Sequence, residues 1–208
     1  MKPVADSFAW PFRGSRSTWA LGIVSVLLLP VLFVPLLGYA VAATRTAEQD
    51  PAAGPPPWRV SWRLLSDGLW CTLLIAITWL PFALVWNLLA STLTNTFGSL
   101  GAPVIAALVL ALPWGLVALL IVPHATAAFA ASGRPGDLFS WSASVRALRG
   151  DPGTWNIVVA AMVTAWAVGI ACVGALCVGI VPGIFYAILV SAHATAALHG
   201  PRPRSAAG

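Results

Sequence analysis

The stretch WNIVVAAMVTAWAVGIACVGALCVGIVPGIFYAILVSAHATAAL, residues 155–198, decides the fold. Its 44 residues contain no Asp, Glu, Lys or Arg, and glycines and Pro182 are the helix-breaking residues within it. As a single helix it would extend about 66 Å, roughly twice the hydrocarbon thickness of a bilayer. It must therefore fold back. Two limbs of about 20 residues, turning near Gly174 to Gly179, make a transmembrane hairpin whose ends return to the side they left.

The rest of the chain has the same character. With 59% hydrophobic and 8% charged residues, and a mean hydropathy of +0.88, it cannot present the surface of a soluble domain, and a nucleic-acid partner is not expected. Cys71, Cys172 and Cys177 lie inside apolar runs, where a thiol acts as a small hydrophobe and implies no disulfide framework. The net charge of +5 is informative through its placement, because basic residues beside spans set topology.

Upstream of the decisive stretch, Leu138, Trp141, Val145 and Leu148 recur at helical spacing opposite Ser142, Arg146 and Arg149, which predicts an amphipathic helix over 138–149. Asp137 is placed to cap it, and Gly150-Asp151-Pro152-Gly153 ends it. A second hairpin is expected from Leu69–Ala90 and Val104–Val122, with Pro81 and Pro113 inside the limbs and a charge-free turn at 91–103. It too follows an amphipathic stretch, Trp58, Trp62, Leu65 and Leu69, with Arg59 and Arg63 on other faces. Residues 44–57 form a polar linker that Pro55 to Pro57 hold extended.

The run from Trp19 to Ala43 is long enough to cross once, but Pro30 and Pro35 break its middle and arginines stand at both ends. Lys2, Arg13 and Arg16 ahead of an apolar core, with Ala40-Val41-Ala42 behind it, resemble a secretory signal, yet the core exceeds the usual length of roughly 7 to 15 residues. If this run also folds back, every Lys, Arg, Asp and Glu falls on one face and the other carries no charge. Positive-inside counting favours that topology, with a reversal between Leu29 and Leu36 and both Thr18 and Thr44 on the cytoplasmic side. The aromatic and basic residues 1–18 read as an interfacial lead-in.

The second and third hairpins end in the same pentapeptide, His124-Ala-Thr-Ala-Ala128 and His193-Ala-Thr-Ala-Ala197, which points to a tandem repeat. The fold expected is an all-α integral membrane protein: helical hairpins in tandem, four spanning helices plus a broken or re-entrant N-terminal segment, with interfacial amphipathic helices. Five spanning helices are the alternative. One membrane domain covers 1–208, with units at 1–45, 58–128 and 138–198 and a basic tail, 199–208, expected to be disordered.

On Gly38-Tyr39, Arg45, Pro57-Trp58, Trp62, Asp67-Gly68, Pro81, Pro123 and the Gly-Asp-Pro turn at 150–152, the chain resembles the prokaryotic multi-pass membrane family catalogued as domain of unknown function 4013. The resemblance covers nearly the whole chain and implies the architecture without assigning an activity. Members typically carry acidic residues after the Pro-Trp pair, where Arg59, Val60 and Ser61 stand here.

No expected span carries a charged group, so no catalytic residue, cofactor or metal site is expected and the reading is non-enzymatic. His124 and His193 are weak candidates for metal or proton handling, with capping of the hairpin ends as the plainer role. Ala161, Ala165 and Gly169 on one limb, and Gly179, Gly183, Ala187 and Ser191 on the other, form small-residue ridges suited to close helix packing, with self-association as the alternative use. The candidate surface for lipid or a protein partner is Trp58, Arg59, Trp62, Arg63, Trp141, Arg146 and Arg149, at the cytoplasmic face of the cell membrane. A transporter or permease subunit is the competing class, suggested by the repeat and the proline-broken spans.

Overall fold

The computed structural model describes residues 5–172 and 179–198. Two short 3-10 turns, Asp6–Phe8 and Trp10–Arg13, precede helices α1 (Arg16–Leu27), α2 (Leu29–Gln49) and α3 (Trp62–Ser132). A further 3-10 turn, Pro135–Phe139, leads into α4 (Trp141–Gly150), α5 (Pro152–Ala171) and α6 (Ile180–Ala196). The chain is an all-α membrane protein, as its hydropathy requires.

The N-terminal apolar run reverses. Ser15 caps α1 by accepting the Thr18 N–H at 3.2 Å, and the helix stops at Leu28 (φ −95°, ψ 30°). Leu32 is also non-helical, so regular helix resumes only beyond it. Between them Pro30 has no N–H to satisfy, and the N–H groups of Leu28, Val31 and Leu32 bond to Val24 and Leu28 carbonyls at 2.8–2.9 Å. This local pairing satisfies those three donors at a tip that stands among exposed Leu27, Leu28 and Val31. Leu29–Gln49 has the length and apolarity of a crossing helix. The break at Leu32 nevertheless leaves about 25 Å of straight helix from Phe33 to Gln49, and α1 extends only about 18 Å, short of the roughly 30 Å hydrocarbon core. The two feet meet: Arg13 donates to the Pro51 and Ala52 carbonyls at 3.4 Å. A single crossing of residues 19–43 would hold them a bilayer apart, so the segment folds back on itself as a broken hairpin.

The second hairpin is contained in α3. Its one non-helical residue is Gly98 (φ 72°, ψ 172°), a backbone that an L side chain rarely adopts. Beyond it the chain runs back, because Trp114 donates from Nε1 to the Thr78 carbonyl at 2.6 Å and Phe129 and Ala130 pack with Cys71 and Leu74. The expected turn over 91–103 is thus helical except at Gly98. Ser91 and Thr92 donate back to the Leu88 carbonyl, so their hydroxyls are satisfied inside the helix.

The amphipathic stretch over 58–69 is corrected similarly. Residues 54–61 have no regular secondary structure, Ser61 caps α3 by accepting the Leu64 N–H at 3.2 Å, and the helix continues into the membrane limb with no separate interfacial element. The prolines at 55–57 keep helix from starting sooner, and nothing after Ser61 stops it. Over 138–149 the boundaries also shift. Leu138 belongs to a 3-10 turn, and Asp137 bonds Ser132 Oγ (2.5 Å) and Arg134 (3.6 Å) instead of capping α4. Asp151 is the capping carboxylate, accepting the Thr154 N–H at 3.0 Å ahead of Pro152 at the start of α5. That bond holds its carboxyl below the ordinary value of 3.8.

In the third hairpin, α5 and α6 touch through backbone. A Cβ on Gly169 would lie 2.8 Å from the Gly183 carbonyl oxygen, and one on Gly183 would lie 2.7 Å from that of Gly169. Ala161, Ala165 and Ala187 are buried along the same seam. The facing ends of the two limbs stay close, since a Cβ on Gly179 would come 2.6 Å from the Cys172 carbonyl oxygen. The expected turn from Gly174 onward falls in 173–178, outside the described residues, as does the tail from 199.

The re-entrant hairpin is the hub of the assembly, since α2 packs against both α3 and α6. Phe185 of α6 fills the space over Gly22, whose Cβ would lie 2.2 Å from the ring. Trp10, Val26, Leu36, Tyr39 and Leu189 complete this buried cluster. On the other side α2 crosses α3 at two glycines: a Cβ on Gly38 would lie 1.9 Å from the Leu64 carbonyl oxygen, and one on Gly68 would lie 1.9 Å from that of Val34. Only residues without side chains permit this approach.

Candidate functional site

The feet of the three hairpins meet at one side and carry the charged residues. Arg45, near the end of α2, pairs with Asp67 in the first turns of α3 at 3.1 Å, both side chains largely buried. Its Nε also donates to the Ala130 carbonyl at 3.0 Å. The last carbonyls of a helix have no partner within it, so one guanidinium satisfies the end of α3 while neutralising the carboxylate near its start. Three segments far apart in sequence are pinned by one side chain.

Beside this pair the non-helical segment 54–61 packs against α2. Trp58 stacks on Tyr39 with ring centroids 4.3 Å apart and planes 2° from parallel, and Tyr39 donates its hydroxyl to the Pro56 carbonyl at 2.9 Å. Under the segment lies a cavity of about 170 Å³, lined by Tyr39, Arg45, Arg59, Ser61, Arg63 and Asp67, with Ala42, Pro56, Pro57 and Leu64. Arg59 and Arg63 are solvent-exposed, and within the described residues neither forms an ion pair. With the Arg45 and Asp67 charges cancelling, the cavity keeps two positive charges.

The other candidate residues are placed separately. Trp62 stands 85% exposed at the start of α3. Trp141, Arg146 and Arg149 are exposed on α4, away from the cavity lining. His193 accepts or donates at Nδ1 to Ser7 Oγ (2.8 Å), lies 5.0 Å from the Trp10 ring, and reaches the Pro51 carbonyl at 3.4 Å. Trp10, expected at headgroup level, is fully buried by this contact. His193 thereby ties the N-terminal turns and the linker to the end of α6. His124 is buried near the end of α3. Among the described residues no three His, Cys, Asp or Glu side chains gather as a metal site.

Neither the Arg45–Asp67–Ala130 junction nor the Gly38–Gly68 crossing follows from pattern or periodicity. The signal present in the sequence is the set Gly38-Tyr39, Arg45, Pro57-Trp58 and Asp67-Gly68, residues that carry the family resemblance and all converge here.

Apolar helical hairpins whose charges collect at their feet define an integral membrane protein with one polar face. Within that class, the chain belongs to the family described as "Protein of unknown function (DUF4013)", which matches residues 21–180. No curated protein and no solved structure matches it.

Proposed function

We propose that this is a non-enzymatic protein of the cell membrane, with its hairpin feet on the cytoplasmic side, that organises anionic lipid at that face. The observation carrying this reading is that Arg59, Arg63, Arg146 and Arg149 are exposed and form no ion pairs among the described residues. Each contributes on the order of 1 kcal/mol of attraction near an anionic surface, an interaction that salt weakens. A protein partner binding the same residues is the alternative outcome.

The orientation has its own test. Thr18 and Thr44 are each only 1% exposed, so cysteines there would resist labelling on either side. Ser17 and Ala52 are exposed at the feet and Phe97 at the opposite turn. In a background lacking the native cysteines, an impermeant thiol reagent applied to intact cells should label Phe97→Cys and spare Ser17→Cys and Ala52→Cys. The reverse pattern would place the feet outside. For the lipid reading, the protein in nanodiscs is expected to melt higher when anionic phospholipid replaces part of the zwitterionic lipid. Exchanging all four arginines for glutamine should remove the gain. Equal midpoints in the two lipid compositions would overturn the reading, and a salt-sensitive pull-down of one cytoplasmic protein would favour the alternative.

A further inference from the structure

We infer that the cavity between the end of α2 and the start of α3 is a binding site for the phosphomonoester of a lipid headgroup, clasped by Arg59 and Arg63 over the Arg45–Asp67 pair. The inference rests on the lipid reading above and assigns it a site. Three guanidinium groups and one carboxylate line the cavity, leaving a local charge of +2. A phosphomonoester carries about −1.5 to −2 at neutral pH, so one such group neutralises the site. Guanidinium forks match phosphate oxygens in pairs, a geometry that a lysine would not supply.

Charge placement distinguishes this cavity from a general basic surface. The Arg45 guanidinium is committed to Asp67 and the Ala130 carbonyl and forms a fixed wall, whereas Arg59 and Arg63 are exposed and can close on a ligand. Ser61 accepts the Leu64 N–H at its oxygen, which leaves its hydroxyl proton available to a ligand in the cavity it lines. Trp62, 85% exposed beside the cavity, sets the depth, because tryptophan rings collect at headgroup level. The phosphate would therefore lie where lipid phosphates already are, with its acyl chains along the exposed apolar face of α3 formed by Leu69, Leu73 and Ile77.

The test uses the full chain in nanodiscs of zwitterionic lipid. Phosphatidic acid is added in one arm, a fatty acid at matched total charge in a second, and inorganic phosphate in a third. With ligand at about 100-fold its Kd, phosphatidic acid should raise the thermal midpoint by about 5 °C or more, and the fatty acid by much less. Arg59→Gln/Arg63→Gln should lose the shift while Arg146→Gln/Arg149→Gln keeps it. Arg59→Gln alone, exposed on a non-helical segment, provides a second variant should the pair fold poorly. A shift by inorganic phosphate that also needs Arg59 and Arg63 supports the phosphate site and identifies free phosphate as the source. The inference is overturned if the phosphatidic acid shift survives Arg59→Gln/Arg63→Gln, or if the fatty acid matches it. Loss of the shift in Arg146→Gln/Arg149→Gln alone would overturn the cavity while sparing the lipid reading, and no shift in any arm would overturn both.

Discussion

Alanine at Gly38 or Gly68 is expected to destabilise the protein by about 3 kcal/mol or more, lowering its thermal midpoint by roughly 6–12 °C for a chain of this size. The added methyl would sit 1.9 Å from a backbone oxygen of the facing helix, Leu64 for Gly38 and Val34 for Gly68. Backbone cannot rotate aside as a flexible side chain can, so α2 and α3 must separate along their whole contact. Glycine in a helix interior is otherwise about 0.5–1 kcal/mol worse than alanine, so the same exchange at an open position should be mildly stabilising. Gly115, where an added methyl would meet nothing within 4 Å, is that control. The Gly169–Gly183 contact is looser, at 2.7–2.8 Å. There alanine should cost less than at Gly38, whereas Gly183→Leu should force α5 and α6 apart and lower both expression and midpoint. Midpoints in detergent that leave Gly38→Ala level with Gly115→Ala would refute the crossing.

The second large effect is expected at Arg45. Arg45→Met removes the partner of a carboxylate that is 9% exposed in its side chain and frees the Ala130 carbonyl. Breaking a buried pair from one side costs about 3–5 kcal/mol, because the remaining charge stays desolvated and unpaired. Asp67→Leu should cost a similar amount by isolating Arg45. The double variant Arg45→Met/Asp67→Leu should regain much of the loss, since replacing both charges by apolar groups leaves no orphaned ion. A double-mutant cycle in nanodiscs reads this as a coupling at least as large as the loss in either single variant, about 3 kcal/mol or more. Additive losses, with no recovery in the double variant, would mean that the two charges act independently.

Hairpins two and three can be read from hydropathy because a bilayer tolerates few backbone arrangements, and an uncharged run of 44 residues has nowhere to go but back. The re-entrant segment can be read because Pro30 and Pro35 coincide with basic residues on both flanks, two independent constraints that agree. The boundaries are harder. A helix that continues from interface into membrane shows no change of period at the junction, so Trp62 and Leu69 look like one surface element when they begin a crossing limb. The turn at Gly98 is shorter than the charge-free stretch 91–103 read from the sequence, because Ser91 and Thr92 bond back to their own helix and so remain helical.

The site divides the same way. That arginines flank the spans is a matter of composition along the chain, and it determined which residues could face a headgroup. Which of them share a cavity depends on how α2 crosses α3, and that angle and register follow from the Gly38–Gly68 contact, a distance between residues that no local pattern connects. By itself the sequence determined a helical membrane protein, its folding-back and the gathering of charge on one face, because transfer of backbone and charge into lipid is costly enough to act on each segment alone. Only the tertiary structure decided that Arg45 joins Asp67 to the end of α3, that His193 ties the N-terminal turns to α6, and that Arg59 and Arg63 line a cavity while Arg146 and Arg149 do not. Those are short-range contacts between distant segments, and their energies exist only once the helices have packed.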